Sequence, residues 1–503
     1  MELKDLNLKC LMFQGSIDTH ENSAYGDIRL GGVYIIRNVI ESAGIESHVI
    51  DFLHKFSHKD ILRLQKIIEK FNPDFITISD TFLDQQILKQ RLYDIKKLFP
   101  SLVVIAGSSN PQPEPNRLID YRIYSYGENA IIKVLEHHFL ARDLKFTKKG
   151  NTKWVNALRD YPAWPKDDYA LRYKPDDFMT NLEPGCLELS RGCRFKCKFC
   201  NWPILGIKQD TSQKEIQSIV EALNHNYHTS GVYSYHLADD TFNDRDSKIE
   251  RLANVVKRLP FEPNFTAFIR LDLVISRPQQ LDLLINARVW GHFYGIETLH
   301  PDAAKAIGKG MHPDRIKKGL LETKAAFMDK LGLYRGTCGM IAGLPFEPVD
   351  SWHKSLEWMN ENWDCYLFWG LHISTDPNMN THSDFSIDAA RYGYVPTKNK
   401  EVIKWAEDKG LLDIKSTVTH KLDKHIMIWE AEWANFKQAT EFSDYYNSNY
   451  FSKIKVPNFE LLNYCSKDNI LDITAQDAYI DKIYKAEELD MISNYIEKKI
   501  NSV

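Results

Sequence analysis

Two separate runs of strand–helix alternation constrain this chain more than any other feature. The later run contains six short apolar strands: GCLELS (185–190), VYSYHL (232–237), NFTAFI (264–269), WGHFYGIE (290–297), YRGTCGMI (334–341) and YLFWGLHI (366–373). Helical stretches separate them. The first carries Ile216, Ile219, Val220 and Leu223 on one face and opens on a Ser212-Gln-Lys-Glu215 capping box. Strands joined by helices pair in parallel, because a parallel return needs a long crossover. Six such units predict a partial β/α barrel over 185–385, with its site at the C-terminal mouth of the strands.

The earlier run covers 1–140. KCLMFQ (9–14), SHVIDF (47–52), DFITIS (74–79), LVVIAG (102–107) and YRIYSY (121–126) read as five strands. Between them Val33, Ile36 and Ile40, then Leu64, Ile67, Ile68 and Phe71, then Leu88, Leu92 and Ile95 recur at helical spacing. The pattern predicts a doubly wound parallel sheet, whose ligands sit outside the carboxyl ends of the strands. Those ends carry Ser79-Asp80, Gly107-Ser108-Ser109 and Tyr126-Gly127-Glu128. Pro162, Pro165, Pro175 and Pro184 break the rhythm, so 141–184 reads as a linker that wraps without folding alone. Past 385 the alternation fades into patches such as LDKHIMIWEAEWANF, and 386–503 reads as a helical extension in which Trp429 and Trp433 pack, a substrate box being the alternative. The fold class is α/β.

Composition excludes several functions. Lys plus Arg (64) against Asp plus Glu (68) gives a net charge of −4, without the basic field that nucleic acid attracts. No apolar run approaches the ~18 residues of a membrane span, and MELKDLNLKC has no signal-peptide core, so a cytoplasmic protein is expected. Eight cysteines are too few for a disulfide framework; Cys10, Cys186, Cys338, Cys365 and Cys465 are scattered, as small buried hydrophobes are. Cys193, Cys197 and Cys200 are different. They fall within SRGCRFKCKFCNWP, directly after a strand. Structural zinc takes four protein ligands, and a 4Fe–4S cluster takes four thiolates. Three thiols would leave one iron open, the alternative being a zinc knuckle.

This cysteine group, with Phe199 before its last member, resembles the signature of the radical S-adenosylmethionine (SAM) superfamily. The resemblance implies a 4Fe–4S cluster on Cys193, Cys197 and Cys200 whose fourth iron chelates SAM, and reductive cleavage of SAM to a 5′-deoxyadenosyl radical. It places Phe199 near the adenine. Later segments match in order. Leu237-Ala-Asp-Asp-Thr-Phe-Asn243 stands where the family contacts the SAM amino group, which gives that role to Asp239 and Asp240; a helix-terminal acidic pair is the alternative. Arg270 ends the third strand, as a SAM contact or a structural ion-pair partner. Tyr294-Gly-Ile-Glu-Thr298, followed by Lys309-Gly310, is similar to the family's Gly-Ile-Glu-Ser and brings in Glu297. Gly339-Met-Ile-Ala-Gly-Leu-Pro-Phe-Glu347 fits the adenine-site run, through Gly339, Ile341 and Gly343.

The first 140 residues resemble the cobalamin-binding domain that precedes the barrel in one large subgroup. The likeness lies in Leu30-Gly-Gly32, Val49-Ile-Asp51, Pro73-Asp-Phe-Ile-Thr-Ile-Ser79, Val104-Ile-Ala-Gly107, Tyr126-Gly-Glu128 and the stretch LRDYPAWPKDDYALRYK. It implies cobalamin beside Ser79, Gly107, Ser108, Gly127 and Glu128, although no D-x-H-x-x-G run supplies a lower histidine ligand. The glycines would serve turns in any such sheet. The domain order implies methylation of an unactivated carbon, with cobalamin relaying a methyl group from one SAM and a second SAM supplying the radical. A reductant such as flavodoxin or ferredoxin is then needed. The alternatives are radical rearrangement, cyclisation or oxidation, and a non-catalytic iron–sulfur protein. Methylthiotransferase is disfavoured, because Cys10 alone cannot hold a second cluster.

Overall fold

The computed structural model describes residues 1–14, 29, 31–51, 53, 58–79, 85–108, 118–163, 170–179, 184–200, 214–363, 365–374, 383–409, 411, 426–449, 495, 497–499 and 501–502. The first sheet contains β1 (Lys9–Gln14), β2 (Glu46–Ile50), β3 (Phe75–Ser79), β4 (Val103–Ser108), β5 (Tyr121–Tyr124), β6 (Thr147–Lys149) and β7 (Thr152–Asn156), in the order β2-β1-β3-β4-β5-β7-β6. Every pairing is parallel except that of β6 with β7. Helices α1 (Gly31–Ser42), α2 (His58–Phe71), α3 (Gln85–Leu98) and α4 (Glu128–Leu140) connect the strands, and a short α5 (Ala157–Asp160) follows. Val33, Val39, Ile131 and Val134 of α1 and α4 belong to one apolar core, and Leu64, Ile68, Leu92 and Ile95 of α2 and α3 to another. The sheet is thus covered on both faces, as a doubly wound sheet must be.

Within the expected linker, residues 147–156 instead form the β6–β7 hairpin. It turns at Gly150, whose φ of +58 favours glycine, and lays the buried Thr152 and Val155 against β5. Lys148 and Lys149 face water on the outermost strand, which blunts a free sheet edge. A hairpin this polar lacks the apolar alternation that marks the other strands.

The second sheet is parallel throughout: β8 (Gly185–Leu187), β9 (Ser234–Leu237), β10 (Asn264–Ile269), β11 (Val289–Glu297), β12 (Arg335–Ala342) and β13 (Cys365–Gly370), in sequential order. It does not close, so β8 and β13 are edges of a partial barrel. Its crossovers carry α6 (Ile216–Ser230), α7 (Asp246–Val256), α8 (Leu271–Ser276) with α9 (Gln279–Asn286), α10 (Pro301–Ala306) with α11 (Pro313–Leu331), and α12 (Val349–Asn362). Ser212 of the expected capping box lies outside the described residues; Glu215 is the N-cap of α6 and makes no side-chain cap bond.

Beyond β13 come α13 (Asp384–Ile387), β14 (Val395–Pro396), α14 (Lys400–Asp408), β15 (Trp429–Glu430) and α15 (Phe436–Asn449). The extension begins as part of the barrel. Phe442 of α15 packs 5.3 Å from Phe368 of β13, and Tyr446 donates to the Tyr366 carbonyl, so α15 covers β13 as the crossover helices cover the other strands. Trp429 is fully buried and donates to the Leu371 carbonyl at 2.9 Å. Tyr495 returns to the first sheet, where its hydroxyl lies 3.0 Å from Asp51. Cys10, Cys338 and Cys365 are buried as expected; Cys465 lies outside the described residues. Among the described residues no helix is long and apolar enough to cross a membrane.

Candidate cluster and cofactor site

The chain leaves β8 and enters the cysteine loop through Arg191, which is 3% exposed. Its guanidinium pairs with Glu188 at 2.7 Å and with Glu128 at the start of α4, and lies 4.0 Å from the Tyr126 ring. These two carboxylates hold it charged against the cost of burial. Gly192 follows with φ +92, a turn that suits glycine. Cys193 Sγ then sits 3.4 Å from Thr241 Oγ1, and the Cys200 N–H closes a turn onto the Cys197 carbonyl at 3.1 Å. Burial pushes the Cys193 thiol up from its ordinary value. The loop is tied down from outside as well. The Lys198 N–H donates to Ile307, its carbonyl accepts from Phe385, and its ammonium lies 2.6 Å from Asp384 of α13.

All three cysteines are half-buried and unbridged. Among the described residues no three His, Cys, Asp or Glu side chains gather as ligands of one ion. Cys186 offers no fourth thiolate: its Sγ is turned to α1, 2.8 Å from where a Gly31 Cβ would stand, and burial pushes it up to about 12. The donor set therefore fits a cluster with one open iron.

β9 ends at the acidic pair, and the structure gives the two carboxylates different roles. Asp239 is buried and accepts from the Leu189 N–H at 2.9 Å, from Ser190 Oγ and from Lys248 at 3.3 Å. It fastens β9 to the cysteine loop. Asp240 is half-buried and is pushed up to about 8, by burial first and then by Asp239 and Glu188, with Lys248 opposing. A carboxyl in such company gains most from an added cation. Neither residue caps a helix; Thr241 and Arg245 occupy the N-cap positions that follow.

The next strand ends complete the mouth. Arg270 points its guanidinium at Asp272 and Cys197 rather than into open space. Glu297 sits at a register shift of β11 with φ +69, a strained conformation for a side-chain-bearing residue. Lys309 holds it, with Nζ 3.0 Å from Glu297, bonded to the Gly295 carbonyl and 5.8 Å from the Phe199 ring. Gly339 pairs with Gly295, and a Cβ on it would meet Phe293 and Trp369 at 3.0 Å. Ile341 pairs with Trp369. Gly343, at φ +100, leaves its side-chain space to Trp429, 2.8 Å away. Glu347 is buried, accepts from Thr298 at 2.6 Å and is pushed up to about 8 by burial. Along one sheet face His236, Phe268, Phe293 and Trp369 form a lane of half-buried rings, each 5.4–6.4 Å from the next.

At the first sheet, Ser79 pairs with Gly107 and Gly107 with Ile123, so these strand ends share a level. Above Gly107 a Cβ would meet none of the described residues within 4 Å, whereas at Gly127 it would touch Ile123 and Ile36 at 3.5 Å. Ser108 pairs with Tyr124, and Asp80 and Ser109 lie outside the described residues. Among the described residues nothing crowds Gly107, which suits a bulky planar group at this edge. Glu128 is committed to Arg191 instead. Sequence reasoning missed the joint of Glu128, Tyr126, Arg191 and Glu188. Only the Glu188–Arg191 spacing hinted at it.

With this geometry in place, comparison with known proteins defines the class. Residues 187–359, which hold most of the second sheet, match the radical SAM superfamily, and a domain of that kind makes the chain an enzyme. Such domains work with a 4Fe–4S cluster and SAM. Among particular proteins, it is 23% identical over 345 residues to an uncharacterized methyltransferase of Pyrococcus horikoshii, PH0819, spanning 63% of this chain and 70% of that one. Its fold is that of two solved enzymes with cobalamin bound. The radical SAM methyltransferase TsrM from Kitasatospora setae, with cobalamin and a [4Fe–4S] cluster bound, superposes with a TM-score of 0.59 at 11% identity, covering 99% of this chain and all (100%) of that one. The radical enzyme OxsB, with aqua-cobalamin and SAM bound, gives 0.58 at 13%, covering 98% and 75%.

Proposed function

We propose that the chain cleaves SAM reductively at a 4Fe–4S cluster held by Cys193, Cys197 and Cys200, and methylates an unactivated carbon with the help of cobalamin. When bound, the cluster supplies the electron for SAM cleavage, and cobalamin supplies a methyl carrier. The chain's own residues do the rest. Asp240 offers the SAM ammonium a carboxylate, Asp239 and Lys248 fix the loop that carries Asp240, and Lys309 orients Glu297 beside Phe199. Gly339, Ile341 and Gly343 line the adenine side of that mouth. Ser79, Gly107, Ser108 and Gly127 form the edge for the corrin, while Glu128 joins that edge to the cysteine loop. A low-potential donor of flavodoxin or ferredoxin type supplies electrons.

One observation carries this reading: Tyr126 and Glu128, at the β5 end of the first sheet, hold Arg191, two residues before Cys193. The β5 end of the first sheet therefore meets the cysteine loop, and transfer of a group between two cofactors needs such proximity. The test supplies SAM labelled in its methyl group to cells expressing the chain, with and without cobalamin. A labelled product found only with cobalamin supports the proposal. An unlabelled, rearranged or oxidised product formed without cobalamin overturns methyl transfer.

A further inference from the structure

Arg270 is fixed more completely than a substrate-binding arginine needs to be. Its backbone N–H donates to Asn243 Oδ1 at 2.8 Å, and its carbonyl accepts from Asn243 Nδ2 at 2.9 Å. Asn243 is fully buried and is itself held by Gln280 at 3.0 Å. The side chain is 11% exposed. Its Nε and one terminal nitrogen form a two-pronged pair with Asp272 at 3.0 and 2.6 Å. One face lies 4.0 Å from the Phe195 ring, inside the cysteine loop. The other terminal nitrogen donates to Cys197 Sγ at 3.4 Å. A planar fork with Asp272 at one side and an aromatic ring against its face has a defined direction, which a lysine in its place would lack. That direction is the sulfur.

We propose that Arg270 is a positioning residue acting through Cys197 to raise the reduction potential of the cluster, with Asp272 and Phe195 holding its guanidinium at the sulfur. The inference rests on the cluster assignment above. Reduction adds one electron, from a donor such as dithionite, to a cluster already bound through anionic thiolates. A cation and an N–H···S bond at one thiolate stabilise that extra negative charge, and hydrogen bonds to cluster sulfurs are a known determinant of iron–sulfur potentials. No bond to Arg270 forms or breaks, and no proton moves.

The test is an anaerobic redox titration of the reconstituted full-length chain followed by electron paramagnetic resonance, with iron and sulfide counted on every sample. Arg270→Gln, which removes the charge, should lower the midpoint by at least the equivalent of a tenfold change in the reduction equilibrium, ~59 mV for a one-electron couple. Arg270→Lys, which keeps the charge without the fork, should fall between Gln and wild type. If Arg270→Gln carries the full iron content with an unmoved midpoint, the proposal is overturned. Should Arg270→Gln fail to assemble a cluster, Arg270→Lys decides: a lowered midpoint supports the proposal and an unchanged one overturns it. A wild-type chain that takes up no iron at all overturns the cluster assignment, and the proposal with it.

Discussion

Removing Arg191 should loosen the joint between the two sheets by an amount the geometry allows one to work out. Its side chain is 2% exposed, and those of Glu128 and Glu188 are 4% and 11%, so solvent screens these pairs little. Arg191→Met strands two carboxylates in a buried place, and removing one partner of a buried pair costs about 3–5 kcal/mol. Glu128→Gln leaves Arg191 with Glu188 and removes one charged hydrogen bond, at about 1.5–3 kcal/mol. In the double variant a neutral amide replaces the Glu128 carboxylate and no stranded charge remains there, so the combined loss should fall short of the sum. Contacting residues give coupling of about 0.5–3 kcal/mol, and charges this buried belong at the upper end. The assay is urea unfolding by tryptophan fluorescence, comparing midpoints at constant slope. Losses that add to within about 0.5 kcal/mol would show that Glu128 and Arg191 act independently, and would refute the view that the first sheet carries the cysteine loop.

Other consequences follow from single residues. Alanine at any of Cys193, Cys197 or Cys200 should reduce the iron and sulfide of anaerobically reconstituted protein from about four each to background, as read by chemical analysis and the visible spectrum. Gly107→Trp should abolish retention of hydroxocobalamin after desalting while leaving the iron content unchanged, because the indole would stand over Gly107, where no described residue lies within 4 Å of a Cβ. Glu347, raised to about 8 by burial, holds a proton in the folded state that the unfolded chain gives up near pH 4.3. The folded state thus binds more protons between those values, and its stability from this group falls as pH rises toward 8. Melting curves of the apoprotein from pH 5 to 9 should show Glu347→Gln gaining on wild type as pH rises; a constant gap would contradict the assignment.

Much of the architecture was legible because apolar residues repeat at strand and helix spacing, and burial enforces that spacing. Every strand expected from the sequence is present, and β10 (Asn264–Ile269) has the expected bounds. The β6–β7 hairpin escaped because Lys148 and Lys149 follow the needs of an edge rather than those of a core. The site was legible by residue type more than by role. Asp239 and Asp240 read as equivalents, yet the bonds from Leu189, Ser190 and Lys248 make Asp239 structural. Arg270 read as a SAM contact or an ion-pair partner; the structure joins it to Asp272 and also to Cys197, 73 positions away in sequence. Glu128 reaches Arg191 across 63 positions. Contacts of that separation depend on how the two sheets meet, which local spacing does not encode.

The most direct test of the central claim is the fate of SAM itself. The reconstituted chain is incubated anaerobically with SAM and dithionite, and 5′-deoxyadenosine is quantified by mass spectrometry. Wild type should form it, Cys197→Ala should not, and Asp240→Ala should show weakened apparent SAM affinity. Equal 5′-deoxyadenosine from wild type and Cys197→Ala, or none from a wild type carrying a full cluster, would contradict that claim.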